Sequence, residues 1–267
     1  MLKPALPPTR ATVCRLIVLL ALGLATSGFC QIPGGKAYQA FLAWRNEPEN
    51  AGLAWDAAIE KYRAKLTADG VSESEAAQII RIITARDEGA FYDGIYTKPP
   101  KFQTAPSELL VEAVKNRIPG KALDVGMGQG RNSIYLASQG WDVTGFDVSS
   151  AGLAEARRLA ASAGVYIKTV LASDEEFDFG GNRWDLIAIL YPLEKRSVYR
   201  VRKALKPGGI VVVECSHKDP GNASFGFEMN ELPRIFDGFR ILKYEDATGV
   251  HEWSRKEVRL VRLIAQK

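Results

Sequence analysis

Histidine and cysteine are scarce in these 267 residues: two of the first and three of the second. His217 and His251 stand 34 positions apart with no helical HxxxH spacing, which excludes the common imidazole-based zinc centre. Cys14 and Cys30 fall in the N-terminal segment and Cys215 stands by itself in an apolar run. That pattern excludes a CxxC metal or redox site and a disulfide framework, and Cys215 reads as a buried structural thiol. Neither sign of charge dominates: 35 Lys and Arg face 31 Asp and Glu, leaving +4. The bases alternate with acids instead of forming a stripe, so no nucleic-acid partner is expected. Long hydrophobic runs are lacking too. The apolar stretch Leu16–Phe29 falls short of the ~20 residues that a membrane-spanning helix needs. There is no internal repeat and no low-complexity tract.

What is present begins with a leader-like pattern. Lys3, Arg10 and Arg15 precede Leu16–Phe29, and small residues follow, as in a secretory signal peptide. Phe29 directly before Cys30 disfavours a lipid-anchored cysteine. The expectation is a cleaved signal over residues 1–30 and an exported, periplasmic or secreted protein with no stable membrane span. An uncleaved anchor, or a cytoplasmic domain, is the alternative.

Residues 31–90 read as a helical segment. Ile32-Pro33-Gly34-Gly35 looks like a linker. Trp55, Ile59, Tyr62 and Leu66 then form one apolar stripe, broken by Asp69-Gly70. Ser72 and Glu75 make a capping box for a second helix, whose buried face carries Ala76, Ile79, Ile80 and Ile83. The two make a helical hairpin. The stretch 91–103 reads as an aromatic, proline-containing loop.

From Ala122 onward, strands and helices alternate. Strands are expected at Ala122–Val125, Asp142–Phe146, Tyr166–Leu171, Trp184–Tyr191 and Ile210–Cys215. The last is nearly continuous β-branched residues, as in a strand buried on both faces. Phe239–Tyr244 and Val258–Ala265 are joined by a loop without a helix, which suits an antiparallel pair at a sheet edge. The fold class is therefore α/β: a Rossmann-like, doubly wound, mostly parallel seven-stranded sheet with an antiparallel edge, preceded by the helical hairpin.

The chemistry concentrates in Ala122–Asp147, ALDVGMGQGRNSIYLASQGWDVTGFD. A strand enters the turn Gly126-x-Gly128-x-Gly130 and a helix follows. Glycines let the backbone turn tightly and admit a ligand where a Cβ would stand. About twenty residues on, a second strand ends at Asp147, where a carboxylate can accept ribose hydroxyls. The arrangement suits an adenosine-bearing ligand, with Val148 beside it. A dinucleotide fingerprint, GxGxxG, would need glycine three residues after Gly128, and Arg131 stands there. Asp124 also lies two residues before Gly126. A carboxylate there would repel a pyrophosphate but suits the sulfonium and amino group of S-adenosyl-L-methionine (SAM). Both features favour SAM over a nicotinamide cofactor.

LDVGMGQG resembles motif I of class I SAM-dependent methyltransferases, and VTGFD resembles the acidic end of their second strand. WDLIAILY, opening on Trp184-Asp185, and ALKPGGIVVVE are similar to later segments of the same fold. The resemblance covers roughly residues 91–267. It implies a methyltransferase domain over that range and an acid after the third strand that meets the adenine amino group. The usual position falls on Ser173, so Asp174 beside it is the candidate. GQGRN, FYDGIY and EVRLVRLIAQK resemble the small-molecule branch that includes tellurite-resistance and thiopurine-type enzymes.

The expected cofactor-binding set is Asp124, Gly126, Gly128, Gly130, Asp147, Val148 and Asp174, with no metal. Two residues are catalytic candidates: Tyr191, at the end of the fourth strand, and His217, after the fifth. Each has a plain alternative, as a core tyrosine and a loop histidine. Arg131 could meet an anionic substrate or the SAM carboxylate, or form a surface ion pair. Tyr92, Tyr96 and Phe102 could cover the methyl group or pack the hairpin. The expected reaction is in-line methyl transfer to a small-molecule acceptor. A non-catalytic SAM-binding scaffold and an NAD(P)-dependent oxidoreductase are the alternatives.

Overall fold

The computed structural model describes residues 34–191, 195–218 and 226–267, with the side chains of 195–197 not described. The expected leader, residues 1–30, lies outside them. No helix among the described residues is long and apolar enough to cross a membrane. The chain divides into two compact units, one ending at Glu88 and one running from Gly89 to Lys267.

In the first unit, α1 (Gly34–Arg45) precedes α2 (Trp55–Ala68) and the start of α3 (Glu73–Tyr96). The α2–α3 pair is the hairpin read from the sequence. Ser72 and Glu75 cap α3 reciprocally: the Glu75 carboxylate accepts from the Ser72 N–H at 3.2 Å, and the Ser72 hydroxyl accepts from the Glu75 N–H at 3.3 Å. Helix α1 falls within the expected helical segment but takes in Gly34 and Gly35 of the expected linker. Ala37, Phe41 and Trp44 repeat at helical spacing and are buried with Tyr62, Leu66, Ile79 and Ile83, so packing outweighs the Pro-Gly-Gly signal at its start. The second departure is that α3 continues to Tyr96, so the first part of the expected 91–103 loop is helix.

The second unit is a seven-stranded sheet in the order β3-β2-β1-β4-β5-β7-β6. Its strands are β1 (Lys121–Val125), β2 (Asp142–Asp147), β3 (Lys168–Leu171), β4 (Trp184–Leu190), β5 (Leu205–Ser216), β6 (Arg240–Val250) and β7 (Glu257–Gln266). The first five pair in parallel; β7 runs antiparallel to both β5 and β6. Lys206–Gly209 lies within β5, with a register shift against β4 between Trp184 and Leu186. Alternation along β5 shows how the sheet is covered. Ile210 and Val212 pack with α4 (Glu108–Val114), α5 (Arg131–Ser138) and α6 (Ser150–Ser162). Val211, Val213 and Cys215 pack on the other side with α7 (Lys195–Ala204) and α8 (Glu231–Ile235). A strand buried on both faces needs the nearly unbroken apolar sequence seen here.

This topology places the chemistry. Order reverses between β1 and β4, and ligands of open α/β sheets bind at the carboxyl ends of strands flanking such a switch point. At the opposite, amino end, the Asp185 carboxylate accepts from the Lys121 N–H at 2.8 Å and from Lys206 Nζ at 2.7 Å, fixing the start of β1 against β4.

Candidate functional site

The turn after β1 is held from below. The Met127 N–H donates to the Phe146 carbonyl at 3.0 Å, joining the turn to β2. Gly126, Gly128 and Gly130 all have left-handed φ, which side-chain-bearing residues adopt at a cost. At Gly128 (φ +52°) the need is also spatial, because a Cβ there would come 2.3 Å from the Tyr96 hydroxyl oxygen.

Two buried acids flank the turn. Asp147 closes β2, and its carboxylate accepts from the Gly128 N–H and the Ser149 N–H, each at 2.8 Å. Burial still raises its pKa, with the two N–H groups pulling the other way. Asp124, 2% exposed, accepts from the Ser133 hydroxyl at 2.7 Å. Burial pushes its pKa up to about 6, opposed by the Ser133 bond and the Arg131 charge. Val148 follows Asp147, partly exposed. Asp174 follows β3 within the turn capped by Ser173 and Glu176, and its carbonyl accepts from Arg200.

Arg131, the first residue of α5, forms an ion pair with Glu252, and both side chains are largely buried. It also donates to the Ala105 carbonyl at 2.7 Å, while the Glu252 carbonyl accepts from the Gln103 N–H at 2.9 Å. Arg131 is thus ion-paired, but in a largely buried pair and not the surface pair expected. It ties the turn between β6 and β7 to the helix that follows the glycines. That turn also carries Trp253, which stacks on Phe102 at 4.5 Å and meets Tyr92 and Tyr96 edge-on at 5.9 and 6.0 Å.

Tyr191 stands just past β4 with φ +85°, an unusual conformation for a residue with a Cβ. Its hydroxyl donates to the Glu214 carboxylate and accepts from the Glu252 N–H at 3.2 Å, and its ring lies 4.2 Å from that of His251. Burial and the Glu214 charge hold the phenol in its neutral form. Glu214, 2% exposed, is also bound by Arg262 Nε at 2.6 Å. His217 sits elsewhere on the sheet. Its backbone N–H donates to the Arg259 carbonyl at 2.9 Å, and its Nε2 lies 3.5 Å from the Asp246 carboxylate.

The structure therefore gathers Asp124, Gly126, Gly128, Gly130, Asp147 and Val148 at one end of the sheet. It places Tyr191 with Glu214 and His251, and His217 with Asp246 and Arg259. Sequence reasoning missed Glu214, Glu252 and Trp253. For Glu214 a signal existed, since an acid inside Ile210–Cys215 must be buried and partnered. Among the described residues, no group of three or more His, Cys, Asp or Glu is arranged to hold a metal ion.

Comparison with known proteins agrees with this architecture. The chain is 29% identical over 159 residues to hemagglutinin 1 of Eikenella corrodens, covering 55% of this chain and 53% of that protein. It is 31% identical over 155 residues to the "Probable S-adenosyl-L-methionine-dependent methyltransferase TehB" of Haemophilus influenzae, covering 52% and 53%. The crystal structure of TehB from Haemophilus influenzae superposes with a TM-score of 0.52 at 26% identity, over 62% of this chain and 63% of that one. The chain spans about half the length of the curated relatives it matches. The family model of the tellurite resistance protein TehB matches residues 92–263, nearly all of the sheet and its turns, and the chain belongs to that family.

Proposed function

We propose that the chain binds SAM and transfers its methyl group to a small-molecule acceptor. The observation that carries this reading is the glycine turn flanked by Asp124 and Asp147, with Arg131 where a dinucleotide fold would need its third glycine. The cradle fits the group: Gly126, Gly128 and Gly130 carry the backbone through left-handed φ between two buried acids, a path that side-chain-bearing residues follow only at a cost. The donor set fits as well: acids meet an amino group and ribose hydroxyls, and would repel a pyrophosphate. Asp147 with Val148 would hold the ribose side, Asp174 the adenine, and Asp124 with the glycine turn the amino-acid end. When bound, the cofactor supplies a methyl group on a sulfonium, a good leaving group.

The chain's own task is then alignment and exclusion of water. The clasp of Arg131 and Glu252 holds the β6–β7 turn, with Trp253, beside the glycine turn. Tyr191, kept neutral and held by Glu214, is placed to orient an acceptor. His217, facing Asp246, is the more remote candidate for moving a proton. A soft nucleophile needs no base at all. Lys3, Arg10 and Arg15 ahead of Leu16–Phe29 support export, which the intact mass of protein recovered from the cell envelope and medium would test.

Calorimetric titration with SAM and with NADH tests the cofactor reading, and mass spectrometry of incubations with small thiol, selenium and tellurium acceptors tests the reaction. SAM binding with no NADH binding, and acceptors heavier by one methylene, are expected. A folded protein that ignores SAM overturns the proposal; one that binds SAM but methylates none of these acceptors leaves the scaffold reading.

A further inference from the structure

The last two turns of α3 have one face that neither the fold nor the glycine turn explains. Gly89, Asp93 and Tyr96 recur at helical spacing and all point at the corner between β2 and α6. A Cβ on Gly89 would come 2.5 Å from the Val148 carbonyl oxygen, so the helix lies directly on the backbone next to Asp147. Asp93 then anchors it. Its carboxylate accepts from the Ser149 hydroxyl at 2.5 Å, the Ser150 hydroxyl at 3.0 Å and the Ala151 N–H at 2.8 Å. Ser149 is in turn the residue whose N–H holds Asp147.

The third residue of the face reaches furthest. The Tyr96 ring passes the start of α6, where a Cβ on Gly152 would come 2.9 Å from Cδ2, and its hydroxyl ends over Gly128. Phe102 and Trp253 meet the ring edge-on at 5.9 and 6.0 Å, fixing its direction. The ring thus spans from the side of the site that Asp147 serves to the side that the glycine turn and Asp124 serve. Its hydroxyl ends at the glycine turn, within reach of the charges of Asp147, Arg131 and Asp124. Burial, with Asp147 adding to it, keeps the O–H protonated. A neutral donor is the group that can meet a carboxylate in a pocket already lined by two acids.

We infer that Tyr96 is a cofactor-contacting residue whose hydroxyl donates to the amino-acid end of the bound adenosyl ligand. The inference rests on the cofactor reading above and adds a residue from outside the strand–turn–helix motif. It accounts for the whole face: Gly89 and Asp93 seat the helix, Gly152 lets the ring pass, and Gly128 makes room for the hydroxyl.

The test uses the full chain and two neutral thioethers, S-adenosylhomocysteine and 5′-methylthioadenosine, which differ in the amino-acid end. Tyr96→Phe keeps the ring and its aromatic contacts and removes the donor. Calorimetry is expected to show S-adenosylhomocysteine weakened about tenfold or more, the loss of one hydrogen bond to a charged group, with 5′-methylthioadenosine unchanged. Unchanged binding of S-adenosylhomocysteine overturns the inference while leaving the cofactor reading intact. Equal weakening of both ligands overturns it too, because that is what displaced packing or a ribose contact produces. A wild-type chain that binds neither ligand overturns the cofactor reading and this inference together.

Discussion

Asp124 carries a cost of burial that its replacement should reveal. Its carboxyl is fully buried and its pKa is pushed from 3.8 up to about 6, so the folded chain holds this proton more tightly than the unfolded chain does. Stability therefore falls as pH rises through the window between those two values, and the penalty is complete above it. At 1.36 kcal/mol per unit, the penalty is about half a kcal/mol at pH 4 and about 3 kcal/mol at pH 7.5. Asp124→Asn keeps the shape and an oxygen for the Ser133 hydroxyl but has no charge to bury. Its amide must find an acceptor, at a cost of roughly 1–3 kcal/mol that does not change with pH. The diagnostic quantity is thus the slope. Relative to wild type, the variant should gain about 2.5 kcal/mol between pH 4 and pH 7.5. Urea unfolding followed by tryptophan fluorescence at several pH values measures it, and SAM titration of the same samples should show binding lost. A stability difference that stays flat with pH would refute the reasoning, since Asp124 would then not be a charge buried at a cost.

The remaining predictions concern the same end of the sheet. Asp147→Ala removes the acceptor for the Gly128 and Ser149 N–H groups and should weaken SAM at least thirtyfold, about 2 kcal/mol; calorimetry showing wild-type affinity would remove Asp147 from the ribose side. Gly128→Ala places a methyl against the Tyr96 hydroxyl at a left-handed φ, for a loss of about 1–2 kcal/mol from the backbone conformation and more from the clash. Adding Tyr96→Ala should recover the clash but not the backbone part in urea unfolding, and strict additivity of the two changes would show that they do not meet. Arg131→Met and Glu252→Gln should each destabilise by roughly 1–3 kcal/mol, less than a fully enclosed pair because some solvent reaches both side chains. The double variant should cost less than the sum, and a coupling near zero in that cycle would show that the clasp holds nothing.

The motif was legible in the sequence where it is local. Asp124, the three glycines and Arg131 lie within one strand, one turn and one helix start, so their spacing alone nearly determines their geometry. Asp147 was legible because a parallel neighbour brings its end level with β1. The β6–β7 cover was not. Arg131 and Glu252 are 121 positions apart, and nothing in either neighbourhood names the other. Helix α3 misleads for a local reason: Gly89 and Gly94 each cost about 1 kcal/mol relative to alanine inside a helix, and an aromatic run beside them reads as loop. Docking of the Gly89, Asp93 and Tyr96 face offsets that penalty, and docking is invisible in a linear pattern. Asp93, which reads as an ordinary helix acid, is used as an anchor. His251, outside the catalytic candidates read from the sequence, is the histidine in contact with Tyr191, because the turn that carries it folds back to the end of β4.

The strand order has a consequence for assembly. β7 lies between β5 and β6, so β6, which comes first in the chain, has no place on the sheet until β7 has paired with β5. The five parallel strands pair across at most 64 positions, Ala122 with Leu186, whereas the turn bearing His251, Glu252 and Trp253 meets the helix after the glycines across 121, Arg131 with Glu252. Damage to the β5–β7 ladder, remote from any ligand, would therefore leave the floor of the site standing and take away its wall.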